Sequence, residues 1–208
     1  MKTDESVRLN LGCGGRPLQG YINVDMDSLS QIRARYPNQE FADDLVVVQY
    51  DIFHLPFQND SVDEVRADGL IEHLPFIDEP KFFYEVTRVL RPGGLLYLST
   101  VDFEMAAKQW LEAKDDWKDF YRDDPEAILN QHWFGTYTYD SDNRWGYLVA
   151  TLYGSQNGAG QFHTNCYSEA KLRAICNKLK LDVVLIERFQ WKGDRDHMLG
   201  LTATKRKA

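Results

Sequence analysis

Leu9-Asn10-Leu11-Gly12-Cys13-Gly14-Gly15, followed by Tyr21-Ile22-Asn23-Val24-Asp25, is the stretch on which the fold turns. Its apolar residues read as two short buried strands, and the glycines between them break the first one sharply. Glycines after a strand let the main chain turn tightly and come close to a ligand, although a plain turn has the same composition. Asp25 ends the second strand. Its two acceptor oxygens match the two donors of a ribose diol, while an Asp before a helix also serves as a cap.

Working outward, the same pattern recurs. Residues 45–50 hold three consecutive valines and predict a strand buried on both faces, ended by Asp51. A carboxylate there can accept from an adenine amino group, and the Ile52 N–H can donate to a ring nitrogen; a turn aspartate is the plain alternative. Residues 29–36 predict a helical turn or two before Pro37. Residues 61–67 and 95–101 read as strands. Residues 80–90 read as a helix with Phe82, Phe83, Val86, Val89 and Leu90 on one face, stopped by Pro92-Gly93-Gly94. Ser168 caps a helix over 169–179, and strands 181–189 and 197–204 are close enough in sequence to pair antiparallel. Strands alternating with helices define an α/β fold with a mostly parallel sheet and helices on its faces.

Composition narrows the classes. Hydrophobic residues make up 43% of the chain, enough for a core, and 208 residues fit a single domain over 1–208 with an aromatic-rich insertion at about 103–165. Net charge is −8, which disfavours nucleic acid as a partner. The three cysteines, Cys13, Cys166 and Cys176, contain no C-x-x-C and suggest reduced thiols in a cytoplasmic protein. Residues 1–8 lack the apolar run of a signal peptide, and no window is apolar enough for a membrane span.

The cofactor class follows from what the glycine turn lacks. Counting from Gly12, the last glycine of a G-x-G-x-x-G fingerprint would fall on Pro17, and no Gly-Lys-Ser/Thr is present. There is little basic charge to meet a pyrophosphate. An adenosyl cofactor without phosphates fits best.

At this point the sequence resembles the class I S-adenosylmethionine-dependent methyltransferases. The resemblance rests on Leu9 to Gly15, Asp51-Ile52 with Leu55-Pro56-Phe57 and Ser61-Val62-Asp63, Ile71-Glu72-His73-Leu74, and Arg88 to Gly94. It covers roughly residues 7–101. It implies a Rossmann-like, doubly wound, seven-stranded sheet with the last strand antiparallel, and S-adenosylmethionine as cofactor. It also implies a cofactor site at Gly12, Gly14, Asp25 and Asp51, with backbone contacts near Ala67. Two departures stand out. Asn10 replaces the usual acid, and the connection from Gly12 to Asp25 is too short for the usual helix plus a strand. Asn10 can still accept a hydrogen bond, and Arg16 in the shortened loop is a candidate partner for the cofactor carboxylate, with an exposed loop arginine as the alternative. The short loop is similar to a subgroup of small methyltransferases associated with surface-polysaccharide assembly, as are Leu152 to Gln156 and His163.

Methyl transfer is an in-line displacement in which the protein positions the acceptor and, for a hydroxyl, helps remove its proton. His73, beside Glu72, and His163, after a glycine-rich loop, are the catalytic candidates, with structural histidines as the alternative. His132, in the aromatic stretch, is a weaker histidine candidate, and Asp68, also counted as catalytic, and Asp102 are candidates to bind an acceptor hydroxyl. No metal is required; Asp68, Asp102 and His163 form a site only if folding gathers them. The expected acceptor is an oxygen or nitrogen of a small molecule or glycan. The aromatics after residue 105 can stack on sugars, pack the insertion, or form the interface of a homodimer. A degenerate methyltransferase domain that binds without turnover is the competing reading, and a nucleotide-sugar or nicotinamide enzyme is disfavoured by the failed fingerprint.

Overall fold

The computed structural model describes residues 6–115, 121, 123–129, 144–145, 147–156, 158, 160–190 and 197–207. Seven strands form one sheet in the order β3-β2-β1-β4-β5-β7-β6. They are β1 (Arg8–Leu11), β2 (Ile22–Val24), β3 (Val47–Val48), β4 (Val62–Asp68), β5 (Leu90–Val101), β6 (Leu181–Gln190) and β7 (His197–Lys205). Strands β1 to β5 pair in parallel. Strand β7 runs antiparallel to both of its neighbours, with Leu98 opposite Leu201 and Ile186 opposite Leu201. This is the Rossmann-like sheet expected from the sequence, and its order reverses at β1–β4, where ligands of such sheets bind.

Helix α1 (Leu29–Arg35) opens with a Ser28/Gln31 capping box, and α2 (Glu79–Val89) carries Pro80 in its first turn. Helix α6 (Glu169–Lys178) starts at the Ser168 cap. Phe82, Val86 and Val89 of α2 and Leu172 of α6 share one buried cluster with Leu9, Val65, Leu96 and Leu199 of the sheet. Burial of such side chains is worth roughly 2 kcal/mol each, and it holds the helices to the sheet.

Two expectations change. Residues 45–50 do not form a strand buried on both faces. Only Val47 and Val48 are extended, both half-buried, and Val46 is 66% exposed. The reason is position: β3 pairs with β2 alone and forms the sheet edge. Strand β5 also starts earlier than residue 95, taking over directly from α2 at Leu90.

The segment between β5 and α6 contributes α3 (Phe103–Glu112), α4 (Pro125–Leu129) and α5 (Tyr147–Tyr153). Among its described aromatics, Trp110 and Trp145 meet edge to face at 5.7 Å, with Arg144 over the Trp110 ring. Trp117, Phe120, Trp133, Phe134, Tyr137 and Tyr139 lie outside the described residues. No helix among the described residues is long and apolar enough to cross a membrane.

Segment 55–59, which follows the turn at Asp51, is pinned to α2 by one ion pair. Glu85 accepts from the Leu55 N–H and from Arg88, and Arg88 donates to the carbonyls of Leu55 and Phe57. The Arg88 guanidinium holds the Glu85 carboxyl below its ordinary 4.5. A depressed folded pKa means that this contribution is present above the unfolded pKa and is lost as pH falls through the folded one. Glu85→Gln should therefore lower stability near neutral pH by on the order of 2 kcal/mol. In urea melts, the gap to the wild type should shrink progressively as pH falls below that ordinary value.

Candidate active site

A cavity of about 720 Å³ opens beyond the carboxyl ends of β1, β2, β4 and β5. Its size is that of a small-molecule site. The strand order places Asp25 and Asp51 on one side of it, and Asp68, Glu72 and Val101 on the other. Asn10, Gly12, Gly14, Arg16, Ile52, His73 and His163 also line it. Ala67 does not. Its side chain is wholly buried in the sheet, and the chain first reaches the cavity at Asp68-Gly69-Leu70.

The shortened connection between β1 and β2 has no helix, only turns. Two buried side-chain amides hold it. The Asn10 Nδ2 donates to the Arg16 carbonyl at 3.0 Å and to Asn23 Oδ1 at 2.9 Å. Asn23 in turn accepts from the Leu18 N–H at 2.7 Å and donates to the Leu18 carbonyl at 3.0 Å. Both partners of the Asn10 amide nitrogen are acceptors, so this position needs a donor, and an aspartate cannot supply one. Asn10 therefore has a structural reason to replace the acid.

The glycine turn then faces Asp25. Gly12 takes a left-handed φ of 62°, and a Cβ there would come within 2.7 Å of Leu70 Cδ1, so any other residue is strained and displaces Leu70. Asp25 is 7% exposed and accepts one N–H on each oxygen, from Gly14 and from Asp27. Each oxygen keeps a lone pair, an acceptor pair that fits the two donors of a vicinal diol. Burial raises its pKa, with the Gly14 N–H opposing. Burial also pushes the neighbouring Cys13 thiol up to about 12, so it stays protonated.

Asp51 is committed differently. Its side chain is largely exposed and closes the turn, accepting from the Phe53 N–H and pairing with His54. Ile52 is half-buried against the core at the cavity wall. Arg16 stands exposed at the rim, where the Asp68 charge acts on it.

The other side gathers residues that are far apart in sequence. Glu72 and His73 sit on a 3₁₀ turn over Ile71–His73. His163 reaches them on a strap whose backbone is sewn to that turn: the Thr164 and Asn165 N–H groups both donate to the Glu72 carbonyl. The two imidazoles meet at 4.8 Å. His73 Nδ1 bonds the Phe162 carbonyl and His163 Nδ1 bonds the Thr151 carbonyl. A carbonyl only accepts, so both rings carry hydrogen on Nδ1 and a lone pair on Nε2. Burial lowers the His73 pKa, and burial with the nearby His73 takes His163 down to about 4, so both are neutral at pH 7.

Glu72 is the residue that sequence reasoning undervalued. It is 4% exposed, and its Oε2 has no hydrogen-bond partner. The Thr100 hydroxyl lies close to it but outside bonding geometry. Burial, with the Asp68 charge adding, raises its pKa to about 7. Its only sequence signal was its place beside His73. Asp68 itself is occupied, ion-paired to Arg66 at 2.5 Å and accepting from Ser99 at 2.8 Å. Asp102 does not join the cluster; it caps α3 and pairs with Arg188. His132 lies outside the described residues.

Comparison with known proteins agrees with this geometry. Residues 9–98 match the methyltransferase domain family. Over 79 residues the chain is 38% identical to a Mycobacterium tuberculosis protein named as a probable S-adenosylmethionine-dependent methyltransferase, covering 38% of this chain and 26% of that one. It is 31% identical over 104 residues to the methyltransferase GfsG of Streptomyces halstedii, covering 45% of this chain and 37% of that one. The chain thus spans well under half the length of these curated relatives. Among solved structures, Burkholderia thailandensis 1,6-didemethyltoxoflavin-N1-methyltransferase, with its substrate and S-adenosylhomocysteine bound, superposes with a TM-score of 0.56 at 14% identity, over 97% of this chain and 72% of that one. Over residues 9–98 the chain is thus similar to the methyltransferase domain family, and its sheet has the Rossmann-like fold of such enzymes. The likeness and the site together support S-adenosylmethionine as the cofactor.

Replacing Asn10 by Asp should remove the donor that holds residues 16–18 and bury a carboxylate against two oxygens. The expected loss is on the order of 2 kcal/mol, read as a melting point about 5 °C lower. An unchanged melting point would show that the amide pair does not hold the loop.

Proposed function

We propose that the protein transfers the methyl group of S-adenosylmethionine to an oxygen or nitrogen of a small molecule or glycan. The observation that carries this reading is the cavity's two-sided construction. One side holds the glycine turn and Asp25, and the other holds two neutral imidazoles beside a buried carboxyl group. In this reading Gly12, Gly14 and Asp25 bind the adenosyl part, with Asp25 accepting the ribose hydroxyls. Ile52 packs the base, Asp51 stands beside its amino group, and Asn10 and Arg16 shape the methionine end. The cofactor supplies an activated methyl on a good leaving group. His73 and His163 orient the acceptor through Nε2, and Asp68 keeps the far wall polar.

The lining also restricts the acceptor. Five carboxyl groups, from Asp25, Asp51, Asp68, Glu72 and Asp78, face two guanidiniums, from Arg16 and Arg35. Like charges repel strongly in such a space, so a neutral or cationic acceptor suits it and a phosphorylated one does not. The Burkholderia thailandensis enzyme, by its name, methylates N1 of 1,6-didemethyltoxoflavin.

One observation favours the reading without turnover: the Asn10 amide is spent on the loop, and the acid usual at that position is absent. A labelled-methyl assay over a panel of neutral sugars, phenols and heterocycles separates the two. Under the enzyme reading, label moves to at least one class and S-adenosylhomocysteine inhibits. Asp25→Ala should weaken S-adenosylhomocysteine binding at least tenfold in calorimetry. Wild-type protein that binds neither cofactor form would remove the proposal.

A further inference from the structure

We propose that Glu72, His73 and His163 form a binding site for one divalent first-row transition-metal ion at the acceptor end of the cavity. Three observations lead to it. The ligand atoms of these residues all lie within 4.8 Å of one another. Around a tetrahedral ion with bonds of about 2.1 Å, ligands stand about 3.4 Å apart, so the three need to draw in by roughly 1 Å. Both histidines donate Nδ1–H to a backbone carbonyl, from Phe162 and Thr151. That is the outer contact metal-binding histidines use to fix the ring and aim Nε2 at the ion. Finally, Glu72 Oε2 is buried and lacks a partner, which is costly for a carboxyl group unless something cationic or hydrogen-bonding meets it.

The strap explains why the site is held together. Thr164 Oγ1 donates to the His73 carbonyl, and the His163 N–H donates to the Tyr153 carbonyl, so His163 is fixed between α5 and the 3₁₀ turn. Gly154 makes this possible: its φ is 82°, and a Cβ there would run into the Gln161 carbonyl and come within 2.8 Å of the His163 nitrogen. Two imidazoles and one carboxylate suit zinc, manganese or iron rather than calcium, which prefers oxygen donors. Three protein ligands leave coordination positions open to the cavity. An acceptor hydroxyl bound there would be oriented and made more acidic; this role rests on the methyl transfer proposed above, whereas the site itself does not.

The test uses untagged protein stripped with EDTA and titrated with Zn²⁺ by calorimetry. One site per chain is expected. Glu72→Gln, His73→Gln and His163→Gln should each weaken it at least tenfold while S-adenosylhomocysteine binding and circular dichroism stay as in the wild type. Cys166→Ser, the exposed thiol, should leave it unchanged. Co²⁺ added to the wild type gives a reading that depends on no variant: visible d–d bands with no thiolate charge-transfer band in the near ultraviolet. Wild-type protein that binds S-adenosylhomocysteine but not Zn²⁺ overturns the inference and leaves the methyltransferase reading standing. A thiolate band, or Zn²⁺ affinity unaltered in all three variants, overturns it as well. Zn²⁺ binding that follows the three residues in protein that binds no cofactor form would support the site and sink the methyltransferase reading.

Discussion

The amide pair between Asn10 and Asn23 is the constraint on which the cofactor side depends. A chain that leaves β1 and returns as β2 with no helix between must satisfy its loop backbone in another way, because buried peptide groups without partners are costly. Here the Arg16 and Leu18 carbonyls and the Leu18 N–H find side-chain amides instead. With the loop held, the Cys13 N–H reaches the Val24 carbonyl and the Gly14 N–H reaches Asp25. The glycine turn and the acidic strand end are thus fixed relative to each other by short bonds in a small volume.

Much of this was legible in the sequence, because the signals were local. Strand–glycine turn–strand, the Ser28 and Ser168 caps and the apolar face of α2 each follow from residues a few positions apart. Failures came where the answer depended on neighbours that are distant in sequence. Three valines at 46–48 read as a buried strand, and nothing local says that their strand lies at the sheet edge. Ala67 sat at the right strand end but one residue short of the cavity. Asp51, at a strand end, was given an adenine role, yet its side chain also serves the turn. Glu72 carried little signal, since the burial of its carboxyl group depends on how β5 and the strap close over the 3₁₀ turn.

The two sides of the cavity are built by different means. The cofactor side is made by main-chain turns at strand ends, where a left-handed Gly12 and a hydrogen-bonded Asp25 leave little room for substitution. The opposite side is made by side chains brought in from the 3₁₀ turn and the strap, held by carbonyl contacts to their rings. The first can serve any adenosyl ligand of one shape. The second gathers Glu72, His73 and His163 from segments far apart in sequence.

The strap at His163 joins partners 89 and 91 positions apart through its contacts with His73. Closing so long a segment costs conformational entropy that must be recovered by the contacts at its end. Those contacts are a handful of hydrogen bonds at a half-exposed surface, whereas β1, β4 and β5 are tied by buried ladders. Opening is therefore cheapest at the strap. The half of the cavity lined by His73 and His163 is thus the half that can open while the glycine turn and Asp25 stay folded.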